Sequence, residues 1–464
     1  MMIALNFCSS YTTLPQCFYA KTMPDKVTHP KLVIWNESLA AALGLSLIPE
    51  ALRADYFSGN ALLPSSEPIA LAYAGHQFGH FTMLGDGRAH IIGEIDRLDI
   101  QLKGSGQTPF SRQGDGKATI GPMLREYLIS EAMHALGIPT TRSLAVVDTG
   151  ELVYRDRPLP GAVLTRISQG HLRVGTFEYA ARQSTERLKA LVDYAVNRHE
   201  HMSHHPTEHA EILLANVITR QAALIAKWML VGFVHGVMNT DNMSMVGETI
   251  DYGPCAFMNE YRLDTVFSSI DHHGRYAYGN QPSIALWNLT RLAEALLPLT
   301  DVEVAKRLLS RFIPTYQAEW LSGMRKKLGL QCEEVDDLAL AESLLNTMAA
   351  HRLDLTRTFR ELGQVDFVER HPMLMNWHQQ WKARLKRENA PEHVIHSLMC
   401  AHNPYIIPRN SVVEAVLEAV LVDGNIVPFQ EFLNALQQPF CENEHTRPYY
   451  APPQDPYYQT FCGT

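Results

Sequence analysis

The chain changes texture along its length, and that change constrains the fold more than any single residue. From 67 to 120, Gly-rich turns separate short apolar runs (LAYAGHQFG, FTMLGDGRAHIIGEI, DIQLKGSG), the pattern of a β-meander. After Gly121-Pro122 a helical period sets in, with Met123, Leu124, Tyr127, Leu128, Met133 and Leu136 on or near one side and Gly137 closing it. Two strands, SLAVVDTGELVYRD and GAVLTRIS, are expected next, joined by a turn at Asp148-Thr149-Gly150. From 176 onward the pattern is mostly helical, with one long helix over roughly 208–232 and later ones at 283–298, 301–328, 337–360 and 372–388. Ahead of the meander, LVIWNESLAAALGL reads as a brief strand and a helix that Gly44 ends, and the Pro- and Tyr-rich tail from Gln438 is expected to lie extended.

A formal net charge of -9 leaves no broad footprint for nucleic acid, so any polyanion site must be local, built by a few converging Arg and Lys residues. Seven scattered cysteines (Cys8, Cys17, Cys255, Cys332, Cys400, Cys441, Cys462), with no C-x-x-C pair, argue against a disulfide scaffold or a zinc ribbon and for reduced thiols in the cytoplasm. The N-terminus is a poor secretory signal, and the most apolar stretch, 221–238, is interrupted by Lys227 and His235; a buried core helix is expected there, not a membrane span. Five histidines in NRHEHMSHHPTEH are irregularly spaced and read as a solvated loop.

Several segments carry chemistry. Gly85-Asp86-Gly87-Arg88 lies between two strand-like runs, where glycines admit phosphates and Arg88 can pair with them. Asp99, Gln101 and Lys103 share one face of a strand by its two-residue period. The helix after Pro122 offers Glu126 and Glu131 as ion-pair partners for Lys103, with Glu131 read instead as a surface residue of that helix. Gln113-Gly114-Asp115-Gly116-Lys117 could form a second cradle. HGVMNTDNM followed by IDYG matches the kinase pattern H-R-D-x-x-x-x-N then D-F-G, with His235, Asn242 and Asp251 in register. Asn242 and Asp251 are hard oxygen ligands suited to Mg²⁺ or Mn²⁺.

That register places Val237 where a kinase keeps its base, and Val237 cannot accept a proton; Asp241 is the nearby carboxylate able to replace it. Arg166 and Arg173, expected after the last strand where a kinase receives adenine, suit phosphates better than a purine edge. Together these features suggest a triphosphate bound end for end.

On these motifs, and on YAGHQFGHF, GRYAYGNQP and NPYIIPRN, the chain resembles the selenoprotein O family of kinase-fold proteins, which bind ATP in a flipped orientation and AMPylate proteins. The resemblance implies an α+β, protein-kinase-like two-lobe fold: a β-rich N-terminal lobe over 1–165, a helical C-terminal lobe over 166–335, and a helical extension and tail over 336–464. It implies that Gly85, Gly87, Arg88, Asp115 and Gly116 line the nucleotide, that Lys103 grips its phosphates beside Glu126, and that Arg166 and Arg173 hold it. Asp241 is then the proton acceptor, with Asn242 and Asp251 on the metal and Asp251 also at the nucleotide. ATP is the implied co-substrate, with UTP and Mn²⁺ an alternative. Ser, Thr or Tyr hydroxyls of proteins, including the enzyme itself, are the implied acceptors, and neither nucleic acid nor membrane is expected as a partner.

Cys462 matches a redox-active position of some relatives, but the stretch TVFSSIDHHGRY lacks the partner cysteine, leaving Cys255 as the nearest alternative. Two other readings stay open on the residues alone: a phosphotransferase with a rearranged base, and a nucleotide-binding scaffold.

Overall fold

Residues 7–200, 208–452 and 458–460 are described by the structure, a computed structural model. Seven strands build one antiparallel sheet: β1 (Tyr19–Lys21), β2 (Lys31–Trp35), β3 (Ile69–Leu71), β6 (Ala89–Ile95), β7 (Leu98–Lys103), β8 (Arg142–Tyr154) and β9 (Pro158–Ser168), in the order β1-β3-β6-β7-β9-β8-β2. Between β3 and β6, the strands β4 (Ala74–Gln77) and β5 (His80–Met83) form a separate hairpin.

The two-residue period of these strands sorts their side chains. Ile100 and Leu102 of β7, with Val147 and Val163, pack against Leu39 of helix α1 (Glu37–Ala42) and Phe57, which lies in helix α2 (Glu50–Ser58). On the opposite face, Val146 and Leu164 join Met123, Leu124, Tyr127 and Leu128 of helix α3 (Ile120–Ala135), which packs across β8 and β9. Lys103 and Gln101 therefore face the same side as α3. Gly137, with φ 73, stops α3 as the sequence suggests.

Beyond β9 the chain is helical: α4 (Val174–Ala181), α5 (Thr185–His199), α6 (His209–Val231), α7 (Gln281–Leu296), α8 (Val302–Leu309), α9 (Phe312–Lys327), α10 (Asp337–His351), α11 (Leu355–Glu361), α12 (Phe367–Arg370), α13 (Met375–Leu385), α14 (Glu392–His402), α15 (Asn410–Asp423) and α16 (Val427–Leu436). The protein is thus α+β, β-rich at the N-terminal side and helical after it. Two short strands, β10 (Phe233–Val234) and β11 (Ala256–Phe257), pair with each other and close the base of the 235–255 loop. Gly232, at φ 74, ends α6; a Cβ there would meet Leu355 Cδ2 at 2.7 Å. The core-helix reading of 221–238 therefore holds as far as Val231. No helix among the described residues is long and apolar enough to cross a membrane.

Four local expectations are corrected. Asp148-Thr149-Gly150 lies inside β8, where the register against β9 shifts between Asp148 and Leu152. The Gly150 N–H turns back to Asp148 Oδ1 (2.8 Å), a local bond that makes a bulge instead of a chain reversal. The 301–328 helix is two helices, because Pro314 has no N–H to bond back and settles in the first turn of α9. The 337–360 helix breaks at Arg352 (φ 52), after which Asp354 accepts from Arg357 N (2.8 Å) and caps α11.

Glu131 is the fourth. It is buried, accepting from Arg142 Nε and Nη2 (both 2.8 Å), Asn36 Nδ2 (2.8 Å) and Ser143 N (3.0 Å), so it pins α3 to β8. Glu131→Ala strips these donors of their acceptor and is expected to cost about 2–4 kcal/mol, read as a lower urea midpoint with unchanged slope.

Candidate active site

Antiparallel register builds the first half of the site. Pairing of β7 with β9 sets Gln101 opposite Arg166, and Arg166 Nη1 donates to Gln101 Oε1 at 3.1 Å. Arg166 is therefore within the last strand rather than after it, and it is buried. Lys103, two residues along the same face, donates to Glu126 Oε2 of α3 at 2.7 Å and to Asp251 Oδ1 at 2.9 Å. Arg166 bonds both carboxylates too: Nε to Glu126 Oε1 at 2.9 Å and Nη2 to Asp251 Oδ1 at 2.7 Å.

The second half comes from the helical region. Arg173, at the N-cap of α4, donates through Nη1 to Asp251 Oδ2 and to the Asp241 carbonyl (both 2.8 Å), and lies over the Tyr73 ring at 4.7 Å. Three cations thus converge on one carboxylate. Burial alone would favour the neutral form of Asp251, but Lys103, Arg166 and Arg173 outweigh it and hold the carboxyl well below the usual range. Glu126 is lowered likewise, Arg166 and Lys103 prevailing over burial. Asp251 itself sits at φ 63, a left-handed conformation that a non-glycine residue rarely keeps without surrounding constraint.

Within the loop, His235 is structural. Its Nε2 lies 2.9 Å from Ile250 O, its Nδ1 accepts from Val237 N (3.3 Å), and its ring stacks on Trp228. Val237 turns its carbonyl to Asn242 Nδ2 (3.0 Å), leaving the Asn242 amide oxygen without a donor among the described residues. Asp241 is buried against the β4–β5 hairpin. Gln77 Nε2 approaches its Oδ2 at 3.4 Å, while Oδ1 has no partner and packs on Gly75, where a Cβ would come within 2.1 Å of it. Burial pushes the Asp241 carboxyl up to about 6, against the pull of Arg173.

Gly85 and Gly87 belong to a loop held under residues 108–112. A Cβ on Gly85 would meet the Phe110 ring at 2.4 Å, and Ser111 Oγ donates to Gly87 O at 2.5 Å. Arg88 is half-buried and has no side-chain partner among the described residues. Asp115 is engaged by Arg155 in a two-pronged pair (2.7 and 3.0 Å), and Gly116 lies so close to Gly106 that a Cβ would come within 2.2 Å of its backbone.

The twelve residues that the resemblance assigns to the site line one cleft of about 1030 Å³, at the upper end of small-molecule sites. Several contributors were not foreseen. Tyr73 and Gln77 come from YAGHQFGHF, a motif that carries the family resemblance but from which no site residue was read. Helix α15 supplies Leu417 and Leu421 to the cleft wall. Arg125, the neighbour of Glu126, ties that helix in through Glu414 Oε1 (2.6 Å) and Asn410 Oδ1 (2.7 Å), while also donating to Cys255 O (2.8 Å).

Cys255 is buried, and burial pushes its thiol up to about 12, which removes it as an accessible redox partner. Cys462 lies outside the described residues, as do residues 201–207 of the histidine segment. The tail just before Cys462 docks without a thiol: Thr460 Oγ1 donates to Pro254 O (2.6 Å), Ser269 N donates to Thr460 O (2.9 Å), and Tyr458 stacks on Phe267. Among the described residues no group of three or more His, Cys, Asp or Glu could hold a metal ion.

A cleft of this size, walled by a sheet and by helix-borne loops and lined with converging cations, marks an α+β protein built to hold a polyanionic small molecule. Proteins similar to the chain over 99% of its length have names that agree. They include proteins named protein nucleotidyltransferase YdiU from Brevibacillus brevis (53% identical, 98% of that protein covered), Anoxybacillus flavithermus (51%, 99%) and Geobacillus kaustophilus (52%, 99%). The family model described as protein adenylyltransferase SelO matches residues 1–437, and the chain belongs to this SelO family.

The cation cluster predicts anion binding that needs no base. Tripolyphosphate at about 100 times its Kd should stabilise the protein by about 2.7 kcal/mol, read as a raised thermal midpoint. In Arg166→Ala and Arg173→Ala, that shift relative to each variant's own midpoint should largely vanish.

Proposed function

We propose that the chain is a protein adenylyltransferase, moving AMP from ATP to a protein hydroxyl with release of pyrophosphate. The observation that carries this reading is the convergence of Lys103, Arg166 and Arg173 on Asp251, beside an Asp241 carboxylate and a Val237 that cannot act as base. A triphosphate exchanges into the cluster by taking over donors that Asp251 now occupies. The phosphates then lie deep in the cleft, and the nucleoside extends toward Gly85, Gly87, Arg88, Asp115 and Gly116.

In this reading the hydroxyl of a Ser, Thr or Tyr gives its proton to Asp241 as its oxygen bonds to the α-phosphorus. The bond from that phosphorus to the bridging oxygen breaks on the far side, and its electron pair leaves with pyrophosphate. Lys103, held by Glu126, and the two arginines neutralise charge on the phosphate oxygens as it shifts. Asp251 and the amide oxygen of Asn242, which has no donor among the described residues, would hold a hard divalent cation, Mg²⁺ or Mn²⁺. Such a cation would supply further positive charge at the phosphates.

The reading extends to a kinase-like arrangement of two lobes. The N-terminal lobe of 1–165 continues to the end of β9 at Ser168, a helical lobe runs to 335, and the extension of 336–464 returns through α15 to wall the cleft. The cations grip phosphates rather than a base, so UTP with Mn²⁺ is an alternative donor. Acceptors include the enzyme's own chain, and the six cysteines among the described residues, all free of disulfides, suit a cytoplasmic setting.

ATP labelled on the α-phosphate should label protein, whereas γ-label should leave in pyrophosphate. Asp241→Ala should cut transfer by at least about 100-fold while nucleotide still binds, since a base acts in the transition state. Lys103→Ala and removal of divalent metal should each suppress the α-label. Protein-bound γ-label without α-label would mean a kinase and overturn the reading.

A further inference from the structure

Among the described residues, the hairpin covers one side of Asp241. Asp241 Oδ1 is covered by Gly75 and its Oδ2 faces Gln77, so the hairpin β4–β5 roofs the carboxylate and leaves it open toward the cleft. The hairpin is clamped in place. His76 N donates to Thr240 Oγ1 (2.7 Å), and Phe78 N donates to Asn239 Oδ1 (3.0 Å), which Tyr276 OH also reaches (2.5 Å). Its two-residue tip, Phe78-Gly79, has φ 51 and 86, the signs of a type I′ turn; a bulky aromatic there is strained and stays because the loop below grips it. A protein acceptor cannot enter such a cleft whole. It must lay the residues around its hydroxyl across the hairpin's outer side.

That outer side is cationic and aromatic. Arg182, exposed at the end of α4, stacks on Phe81 of β5 with its guanidinium carbon 3.7 Å from the ring centre. Arg275 and Arg291 lie over Trp287 at 4.8 and 5.1 Å, and the His76 ring packs edge-on to both Phe81 and Trp287. Arg275 also flanks the tip, 3.7 Å from where a Cβ on Gly79 would stand. Arg291 is paired with Glu294 (2.6 Å), whereas Arg182 and Arg275 have no carboxylate partner among the described residues. On a chain of formal net charge -9, two such arginines on the hairpin's outer side are a local concentration of positive charge, set against the carboxylate of Glu178 that pairs with His76. An arginine over an aromatic ring can still pair through its remaining N–H groups with a carboxylate.

We propose that this rim is the docking surface for an acidic segment of the acceptor protein, Asp or Glu residues flanking the modified hydroxyl being read by Arg182 and Arg275. The proposal rests on the AMP-transfer reading and narrows its substrate class. It predicts selectivity carried largely by encounter and registration, and hence weakened by salt.

The test uses the full chain, α-labelled ATP and two synthetic peptides that share one tyrosine, flanked by glutamates in one and by lysines in the other. The glutamate peptide should have the lower KM by roughly fivefold or more at low ionic strength, a gap that narrows in high salt. R182E and R275E should each raise its KM by a similar factor and leave ATP binding unchanged. Arg275 is partly packed, so R182E, at an exposed helix end, keeps the test valid if R275E folds poorly. Equal KM values for the two peptides, or a glutamate preference untouched by R182E, overturns the docking proposal. If neither peptide nor the enzyme gains α-label, the AMP-transfer reading falls instead. Fluorescence anisotropy of the same labelled peptides then still decides the docking surface, equal affinities for the two peptides overturning it.

Discussion

One carboxylate shared by three cations organises this molecule. Asp251 accepts from Lys103 on β7, Arg166 on β9 and Arg173 at the start of α4, so a single side chain joins the sheet to the helical region. Burying three cations is costly unless each is matched, and Glu126 on α3 provides the second negative charge. Asp241 and the buried Asp86 also act on Arg173, and the whole cluster of cations and carboxylates faces a cleft. Much of the surrounding structure serves that balance: the β7–β9 register that places Arg166 beside Gln101, the Glu131–Arg142 pair that pins α3, and the left-handed backbone that holds Asp251 in place.

Much of this was legible in the sequence, for reasons that are local. Period two in DIQLK places Lys103 and Gln101 on one face, and glycines 44 and 137 both stop helices with positive φ. Spacing through HGVMNTDNM and IDYG is short enough that one loop, closed by β10 and β11, must bring His235, Asp241, Asn242 and Asp251 together. Errors arose where a local rule met a tertiary one. Asp148-Thr149-Gly150 has turn chemistry, yet β9 pairs on both sides of it and turns it into a bulge. Glu131 has the position of a surface residue, yet Arg142 and Asn36 arrive from elsewhere in the chain to bury it.

Other parts could not be read because they depend on contacts distant in sequence. Arg125 carries no sign that it bonds Asn410 and Glu414, nearly three hundred residues away, and so the share of α15 in the cleft was invisible. Gln77 looks like any polar strand residue until the hairpin folds over Asp241. Thr460 and Tyr458 hold the tail against Pro254 and Phe267 by backbone and ring contacts, which a search for cysteine pairs does not register. In each case a segment outside the central motifs braces a residue within them, so the reactive geometry belongs to the whole chain.

The central claim is the direction in which the triphosphate lies. The most direct measurement is a crystal structure with Mg²⁺ and an ATP analogue whose α,β-bridging oxygen is replaced by carbon, so that transfer is blocked. The expected structure has the triphosphate on Lys103, Arg166 and Arg173, the α-phosphorus facing the Asp241 carboxylate, and the base toward Gly85 and Arg88. Adenine packed against Arg166 and Arg173, with the γ-phosphate presented to Asp241, would contradict it.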